Sequence, residues 1–527
     1  MQLFIFFASL CLCLLLKALI TQLHLLLFSS SSSKPTNKNL NLPPGPTRIS
    51  LIATFIFRRK SFFELGPFIS NLRQKYGPLI TVHVGSQPTI YITNNSLARQ
   101  ALVQNGAVFA DRPISINKLI ISSNSSKVIS KSPYGPTWRA LRRNLTAGVL
   151  NPSQLRSFSL VRKRVLNNLI DALKHDSKGE KAVFVEEHFR HAIFSMLFLL
   201  CFGDNVEDKQ IREIEAAQQR HFKNFQYRLR PFIIFPKLGK FLFRKQWKEI
   251  IGIATRYDDA IVALIRSRKK ITEQEKDTSR KDQGGVFYVD TLLNFQDPEE
   301  EENLKELEIV GLCKEFVGAG TDSTKTALQW IMANVVKYPA IQAKILEDIR
   351  EGIGDDQRKF IKEDDLQKMP YIKAVVLEGL RRHPPGYTPL TPRAVTEDVE
   401  LGGYIVPKGT AVNFLITDMG RDPNVWENPM EFKPERFLKN SDDDHEHHQE
   451  GFDVTGSREI KMVPFGAGRR ICPGNGFAML HMEYLVANLV WHFEWKPADG
   501  EDVDLTEKFD LTISMKNPLR VHLSPRF

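Results

Sequence analysis

One cysteine stands where a sulfur atom could do chemistry. In Pro464-Phe465-Gly466-Ala467-Gly468-Arg469-Arg470-Ile471-Cys472-Pro473-Gly474, a glycine-rich loop brings Cys472 to the start of an apolar helical pattern that runs on from Phe477. A helix N-terminus presents unpaired N–H groups and partial positive charge, and Arg470 adds a full charge two residues earlier, so the pattern predicts a stabilised thiolate. Pro473 suits a first helical turn, where its missing N–H would have had no partner. Gly466, Gly468 and Gly474 remove side chains where a flat ligand would approach the backbone. Taken alone, a lone cysteine is more often a small buried apolar residue than a ligand.

Three further groups share helix faces or an unusual helix interior. Trp138 and Arg142 are four apart, so they lie on one face. An indole N–H and a guanidinium suit a carboxylate, although a packed Trp beside a solvated Arg is the commoner arrangement. Glu378 and Arg381 are three apart on another helix, a spacing that surface ion pairs also show. Phe316-Val317-Gly318-Ala319-Gly320-Thr321-Asp322-Ser323-Thr324 lies within a helical run from about Glu302 to Lys337. Its two glycines each cost about 1 kcal/mol relative to alanine, which points to a need for space. That space serves either close helix packing or a groove for a small ligand. A hydroxyl at residue 323 can bond the Ala319 carbonyl and open the helix locally.

The spacing Phe-x-x-Gly-x-Arg-x-Cys-x-Gly, preceded in order by these stretches and by Arg436 in Pro434-Glu435-Arg436-Phe437, resembles the cytochromes P450. The resemblance covers the chain from about residue 40 to its end. It implies a mainly α fold with minor β and a haem b cofactor, iron protoporphyrin IX, ligated by Cys472. Trp138, Arg142 and Arg393 are then the propionate partners. Phe465, Gly466, Arg470 and Gly474 are the cofactor-facing residues of the loop. Asp322, Ser323 and Thr324 relay protons, and Glu378, Arg381 and Arg436 form a bracing network rather than a catalytic one. The family's usual threonine after the acid is here Ser323, which keeps the hydroxyl but loses the methyl that fixes its rotamer.

The resemblance further implies a monooxygenase that takes dioxygen and reductase-supplied electrons to oxygenate an apolar or aromatic small molecule. The Pro-Pro-Gly-Pro hinge and apolar start look like a microsomal member. Ala-Gly-Thr-Asp-Ser-Thr and Arg-Arg-His-Pro-Pro point to the A-type clan of plants and its family eighty-nine. No Gly-x-Gly-x-x-Gly or flavin-type motif is present, so electrons must come from a partner, expected to be NADPH-cytochrome P450 reductase. Arg143, Lys461 and Arg469 are its candidate contacts. The substrate pocket is expected from residues 109–125, Leu312 to Ala319, Tyr387 to Thr391 and Thr512 to Lys516. A haem-thiolate isomerase or dehydratase and a haem-binding sensor are the rival readings. The first commonly lacks the acid and hydroxyl that this chain keeps, and the second needs no reductase.

The elements that must position these groups follow from the rest of the chain. Its 527 residues show no linker that would divide the body. The net charge of +11 is spread among acidic runs, which argues for a docking face on an acidic protein or membrane rather than nucleic acid. Five scattered cysteines make no disulfide framework. Residues 1–28 read as an apolar membrane anchor interrupted by Lys17, residues 29–48 as a Ser-rich and Pro-rich hinge, and residues 49–527 as a single haem domain. Lys34, Lys38 and Arg48 follow the anchor and leave the body on the cytosolic side of the endoplasmic reticulum. Glycosylation triplets at Asn94, Asn124 and Asn144 test that orientation. Alternation from Pro78 to Thr93 predicts a hairpin, and short strands are expected at Leu401–Val406 and Leu511–Ser514. Helical periodicity dominates from Ser96 to Tyr371, with the acidic run Glu299–Glu302 at a helix start. His445, His447 and His448 sit in an acidic stretch that reads as a solvated loop.

Overall fold

The computed structural model describes residues 42–46, 65–84, 87–113, 127–179, 181–203, 206–228, 232, 236–277, 286–354, 360–388, 392–438, 452–498 and 502–527. The anchor at 1–28, the Ser-rich stretch, the Asn124 triplet, the 114–125 part of the expected pocket and the His445–His448 cluster lie outside these residues. Among the described residues, no helix is long and apolar enough to cross a membrane. The end of the proline-rich stretch is docked on the body rather than a free spacer. Thr81 N–H donates to the Pro44 carbonyl at 2.9 Å, and a Cβ at Gly45 would lie 1.8 Å from the Thr81 oxygen.

Helix α1 (Leu65–Tyr76) buries Ile69 against the predicted hairpin. Strands β1 (Leu79–Val84) and β2 (Gln87–Ile92) pair antiparallel with Leu79 opposite Ile92. Then come α2 (Pro136–Gly148), α3 (Ser159–Asp176), β3 (Val183–Phe184), α4 (Glu186–Phe202), α5 (Asp208–Arg228), α6 (Arg244–Asp277), α7 (Glu306–Lys337), α8 (Pro339–Ile353) and α9 (Pro370–Arg382). Proline opens α2, α8 and α9 at a position where no N–H is needed. Helices α4 and α7 are apolar nearly all round because both are buried, and they pack side by side. The acidic run Glu299–Glu302 lies in the turn before α7 instead of at its start, where Glu299 accepts the Thr137 N–H at 3.2 Å. The Glu308 carboxylate caps α7 by accepting the Lys305 N–H at 2.9 Å.

The remaining chain is strand-rich around one more long helix. Strands β4 (Arg393–Ala394), β5 (Val399–Leu401), β6 (Tyr404–Val406) and β7 (Ala411–Phe414) precede α10 (Asn475–His492), and β8 (Phe493–Pro497), β9 (Glu507–Phe509), β10 (Ile513–Met515) and β11 (Arg520–Pro525) follow it. The strand expected at Leu401–Val406 is a hairpin, since Gly402 and Gly403 at φ 56° and 81° turn the chain between β5 and β6. The largest sheet has the order β1-β2-β7-β4, with β2 and β7 parallel. A three-stranded sheet runs β3-β11-β8.

Glu378 and Arg381 of α9 are fully buried and paired through two bonds of 2.7 and 2.8 Å. Arg436 Nε reaches the same carboxylate at 3.2 Å, and Lys433 N–H donates to it at 2.8 Å. Arg381 also donates to the carbonyls of Gly420, Pro429 and Glu431. Its guanidinium lies 5.2 Å over Trp426, whose indole N–H holds the Lys461 carbonyl at the entry to the cysteine loop. Glu378, Arg381 and Arg436 thus meet at one carboxylate, and Arg381 is backed by main-chain acceptors.

Glu378→Ala leaves Arg381 buried without its counter-charge, which should cost about 3–5 kcal/mol. The urea midpoint of unfolding should fall accordingly. A second effect concerns Glu483 of α10, whose carboxyl burial pushes up to about 7 against the pull of Lys373. The native group holds its proton above pH 4.5, where the unfolded group releases it, so stability falls as pH rises from about 4.5 to 7. Glu483→Gln should raise stability at pH 8 by on the order of 2 kcal/mol and change it little at pH 4.

Candidate active site

Cys472 lies between a 3-10 turn at Gly468–Arg470 and α10. Its N–H donates to the Phe465 carbonyl at 2.9 Å, which closes the loop. Pro473 sits just ahead of α10, where Gly474 is the capping residue. The three glycines have different jobs. Gly466 and Gly468 both have φ 69°, a conformation that favours glycine. Gly466 faces open space, whereas a Cβ at Gly468 would lie 1.9 Å from the Leu102 oxygen, so that glycine makes room for protein backbone. Gly474 is in ordinary contact with the sulfur, at 3.9 Å from its would-be Cβ.

Burial pushes the Cys472 thiol up, against the opposing pull of the Gly474 N–H and the Arg142 charge. The stabilised thiolate expected from the helix start is thus outweighed by desolvation in the protein alone. Arg470 is not the charge that acts on the sulfur. Its guanidinium donates to the carbonyls of Ala110, Ile129 and Ser132 at 2.7, 3.2 and 2.8 Å.

Arg112, Arg142, Arg393 and Arg470 gather beside this loop. Arg142 donates to the Ile471 carbonyl at 2.7 Å, Arg393 to that of Ala467 at 3.3 Å, and Arg112 to those of Ser130 and Pro392 at 2.7 and 2.9 Å. Burial pulls Arg393 well below its ordinary range, and the charges of Arg112, Arg470 and Arg142 pull it further. Arg470 falls to about 9 by burial and by the charge of Arg112. Buried Arg393 Nε has no hydrogen-bond partner among the described residues. Trp138 departs from expectation, because its indole N–H is committed to the Ile129 carbonyl at 3.0 Å. Its ring instead carries Arg470 at 4.3 Å and Arg142 at 5.6 Å.

On α7, Gly318 and Gly320 serve helix packing. A Cβ at Gly318 would meet Phe222 of α5 at 3.0 Å, and one at Gly320 would meet Leu197 of α4 at 2.6 Å. The open face is that of Ala319, an exposed residue on a helix buried on both sides of it. Ser323 Oγ donates to the Ala319 carbonyl at 2.7 Å on this face, as its position predicted. Thr324 is buried. Burial pushes the Asp322 carboxyl up, opposed by Lys325 and Arg190. The acid therefore shares the ion network in which Lys325 pairs with Glu186 of α4 at 2.7 Å.

With this geometry in place, the comparisons decide the family. The profile described as Cytochrome P450 matches residues 43–523. The chain belongs to the cytochrome P450 family. Cytochrome P450 89A9 of Arabidopsis thaliana is 44% identical over 92% of this chain and 94% of its own. The 5-epiaristolochene 1,3-dihydroxylase of Nicotiana tabacum is 30% identical over 94% of each chain. A zebrafish cytochrome P450 solved with progesterone shares the fold at a TM-score of 0.70, with 21% identity, over 88% of this chain and 99% of its own. This cytochrome P450 is an oxidoreductase of monooxygenase type, and its cofactor is iron protoporphyrin IX. The residues present fit that cofactor: a cysteine stands ready for iron, and a buried cluster of guanidiniums with an unsatisfied Nε requires an anion such as a propionate.

Two residues of this cytochrome P450 escaped the sequence reading. Arg112 precedes Pro113 in an aperiodic loop, so only the extended backbone before proline was legible. Glu315 lies on α7 and accepts the N–H groups of Ile129 and Ser130 at 2.7 and 2.8 Å. It thereby holds the loop whose carbonyls receive Trp138, Arg112 and Arg470. Its helix spacing four residues before Ala319 was the available signal, with nothing to say what it would meet. Glu315→Ala should cost about 2–3 kcal/mol by leaving two N–H groups without acceptors. Hydrogen exchange at the Ile129 and Ser130 amides should accelerate, and Glu315→Gln, which keeps one acceptor, should show a smaller effect.

Proposed function

We propose that this enzyme oxygenates an apolar or aromatic small molecule of plant secondary metabolism, drawing electrons from NADPH-cytochrome P450 reductase. The observation that carries the reading is the gathering of Arg142, Arg393, Arg470 and Arg112 beside the Cys472 loop, a cation cluster that a dianionic haem completes. Cys472 would hold the haem iron through its sulfur, and coordination to iron deprotonates a thiol outright whatever its value in the protein alone. Haem b held by these residues would supply dioxygen activation, for which a thiolate is a suitable ligand. Phe465, Gly466 and Gly474 shape the approach to the sulfur, with the Gly474 N–H tempering its charge. Trp138 acts as the platform that orients Arg470 and Arg142.

Ser323 holds a proton at Oγ on the open face of α7, and the raised Asp322 carboxyl retains one more readily than an ordinary aspartate. Thr324, being buried, supports the helix next to this pair. Glu378, Arg381 and Arg436 hold the scaffold. Residues 1–28 anchor the chain in the endoplasmic reticulum membrane and 29–48 form the hinge, with the body from 49 to 527 facing the cytosol. The charges after the apolar segment support that orientation. Exposed Arg143 and Lys461, with Arg469, form the docking face for the acidic reductase. The tobacco relative, named for dihydroxylation of 5-epiaristolochene, supports an apolar substrate.

The test is an untargeted screen of plant metabolites with reconstituted enzyme, reductase, NADPH and dioxygen. Product must vanish when NADPH, reductase or oxygen is withheld, and product formed without them would overturn the reading. Cys472→Ser should abolish the thiolate-type Soret band of the reduced CO complex. Asp322→Asn should slow product formation by about 100-fold. Ser323→Thr should raise the product formed per NADPH consumed, because the added methyl restricts the hydroxyl rotamer.

A further inference from the structure

A cavity of about 510 Å³ lies between α3, α4 and the start of α5, on the side of α4 turned away from α7. Two residues of α4 define the separation. Leu197 meets Gly320 of α7, while Leu199, two positions on and so across the helix, lines the cavity. Its volume falls within the roughly 300–1,000 Å³ of small-molecule sites.

The walls are largely apolar, with Leu169 of α3, Ala192 and Leu199 of α4 and Ile211 of α5. Ser195 lines the same space, and its buried Oγ has no hydrogen-bond partner among the described residues. A buried hydroxyl left unpaired is costly, so a ligand that bonds to it is favoured. The charged groups at the mouth already answer one another. Arg212 pairs with Asp208 at 2.8 Å, Arg190 with Glu187 at 2.7 Å, His188 with Asp176 at 3.1 Å and His191 with Glu215 at 2.7 Å. Arg164, exposed at the rim, has no such partner among the described residues, but it is solvated and selects weakly. An ionic ligand would have to break a mouth pair or leave its charge facing the apolar walls.

We propose that this cavity is a second small-molecule site, for a neutral and mainly apolar compound with one hydroxyl or carbonyl group that bonds to Ser195 Oγ. An oxygenated apolar molecule has this chemistry, as does any phenol or terpene alcohol of matching size. The site is independent of the haem side and can be filled while that side is blocked.

The test is equilibrium dialysis of 1-naphthol against the full-length holoenzyme, saturated with an azole that ligates the haem iron. One equivalent of naphthol should bind in the presence of the azole. Ala192→Trp, which fills the cavity, should weaken that binding at least about tenfold, and Ser195→Ala about fivefold, the worth of one hydrogen bond. 1-Naphthoate, of similar shape but charged, should bind roughly tenfold more weakly than naphthol. The proposal is overturned if no naphthol binds beside the azole, if Ala192→Trp binds it as the wild type does, or if naphthoate binds equally well. A reduced-CO spectrum verifies that each variant is folded. If Ala192→Trp lacks that spectrum, Ser195→Ala decides, and unchanged naphthol affinity in that variant overturns the proposal.

Discussion

Like charges brought together out of water must be compensated, and the site depends on that constraint. Arg112, Arg142, Arg393 and Arg470 come from four separate segments, and each donates to main-chain carbonyls of others. Those bonds satisfy most donors and fix positions, and Asp111 and Glu315 answer part of the charge of Arg112, with Asp111 also acting on Arg470, but carbonyl dipoles do not cancel the rest. Burial depresses Arg393 and Arg470 most, and the charges of the neighbouring arginines add to it. A dianionic cofactor held there would offset this cost, and its binding would then be thermodynamically linked to the folding of this region.

Around that cluster the chain supplies two kinds of rigidity. Behind the cysteine loop, Glu378, Arg381 and Arg436 form a dry ionic network whose carboxylate also accepts a backbone N–H. In front of it, Glu315 holds the N–H groups of Ile129 and Ser130, which ties the 127–132 loop to α7. Both devices place a buried carboxylate against donors from distant segments. They differ in what they join, since the first ties α9 to the 420–436 segment while the second fixes carbonyls that in turn receive Trp138 and two arginines.

Helix α7 shows how one element divides its faces. Gly318 and Gly320 let side chains of α5 and α4 approach closely, and this packing leaves the Ala319 and Ser323 face as the open one. Asp322 and Ser323 are neighbours in sequence but turn to different surroundings, the acid to the Lys325 and Glu186 network and the hydroxyl to the open face. Helix α4 divides in the same manner, with Leu197 serving α7 and Leu199 the second cavity.

Spacing along the chain carried much of this architecture. The hairpin at 79–92, the long helix at 306–337, the Glu378–Arg381 pair and the Ser323 bond to the Ala319 carbonyl were all legible, because each rests on contacts between residues at most a few positions apart or on a strict period. The motifs also sufficed to place the chain among haem-thiolate proteins. Other features rest on partners outside any helix or strand period, nine residues away for Trp138 and hundreds for Arg470 and Gly468, and were settled only by the fold. Trp138 gave its N–H to Ile129, Arg470 turned from the sulfur to three carbonyls, and Gly468 made way for Leu102. Periodicity tells which face a side chain occupies but not what lies opposite, and the charge environment of Cys472 is a sum over such opposites. The sequence by itself thus determined which residues could ligate iron, bond a carbonyl at i−4 or pair at i+3, whereas burial, which set the thiol and arginine proton affinities, was decided by tertiary packing alone.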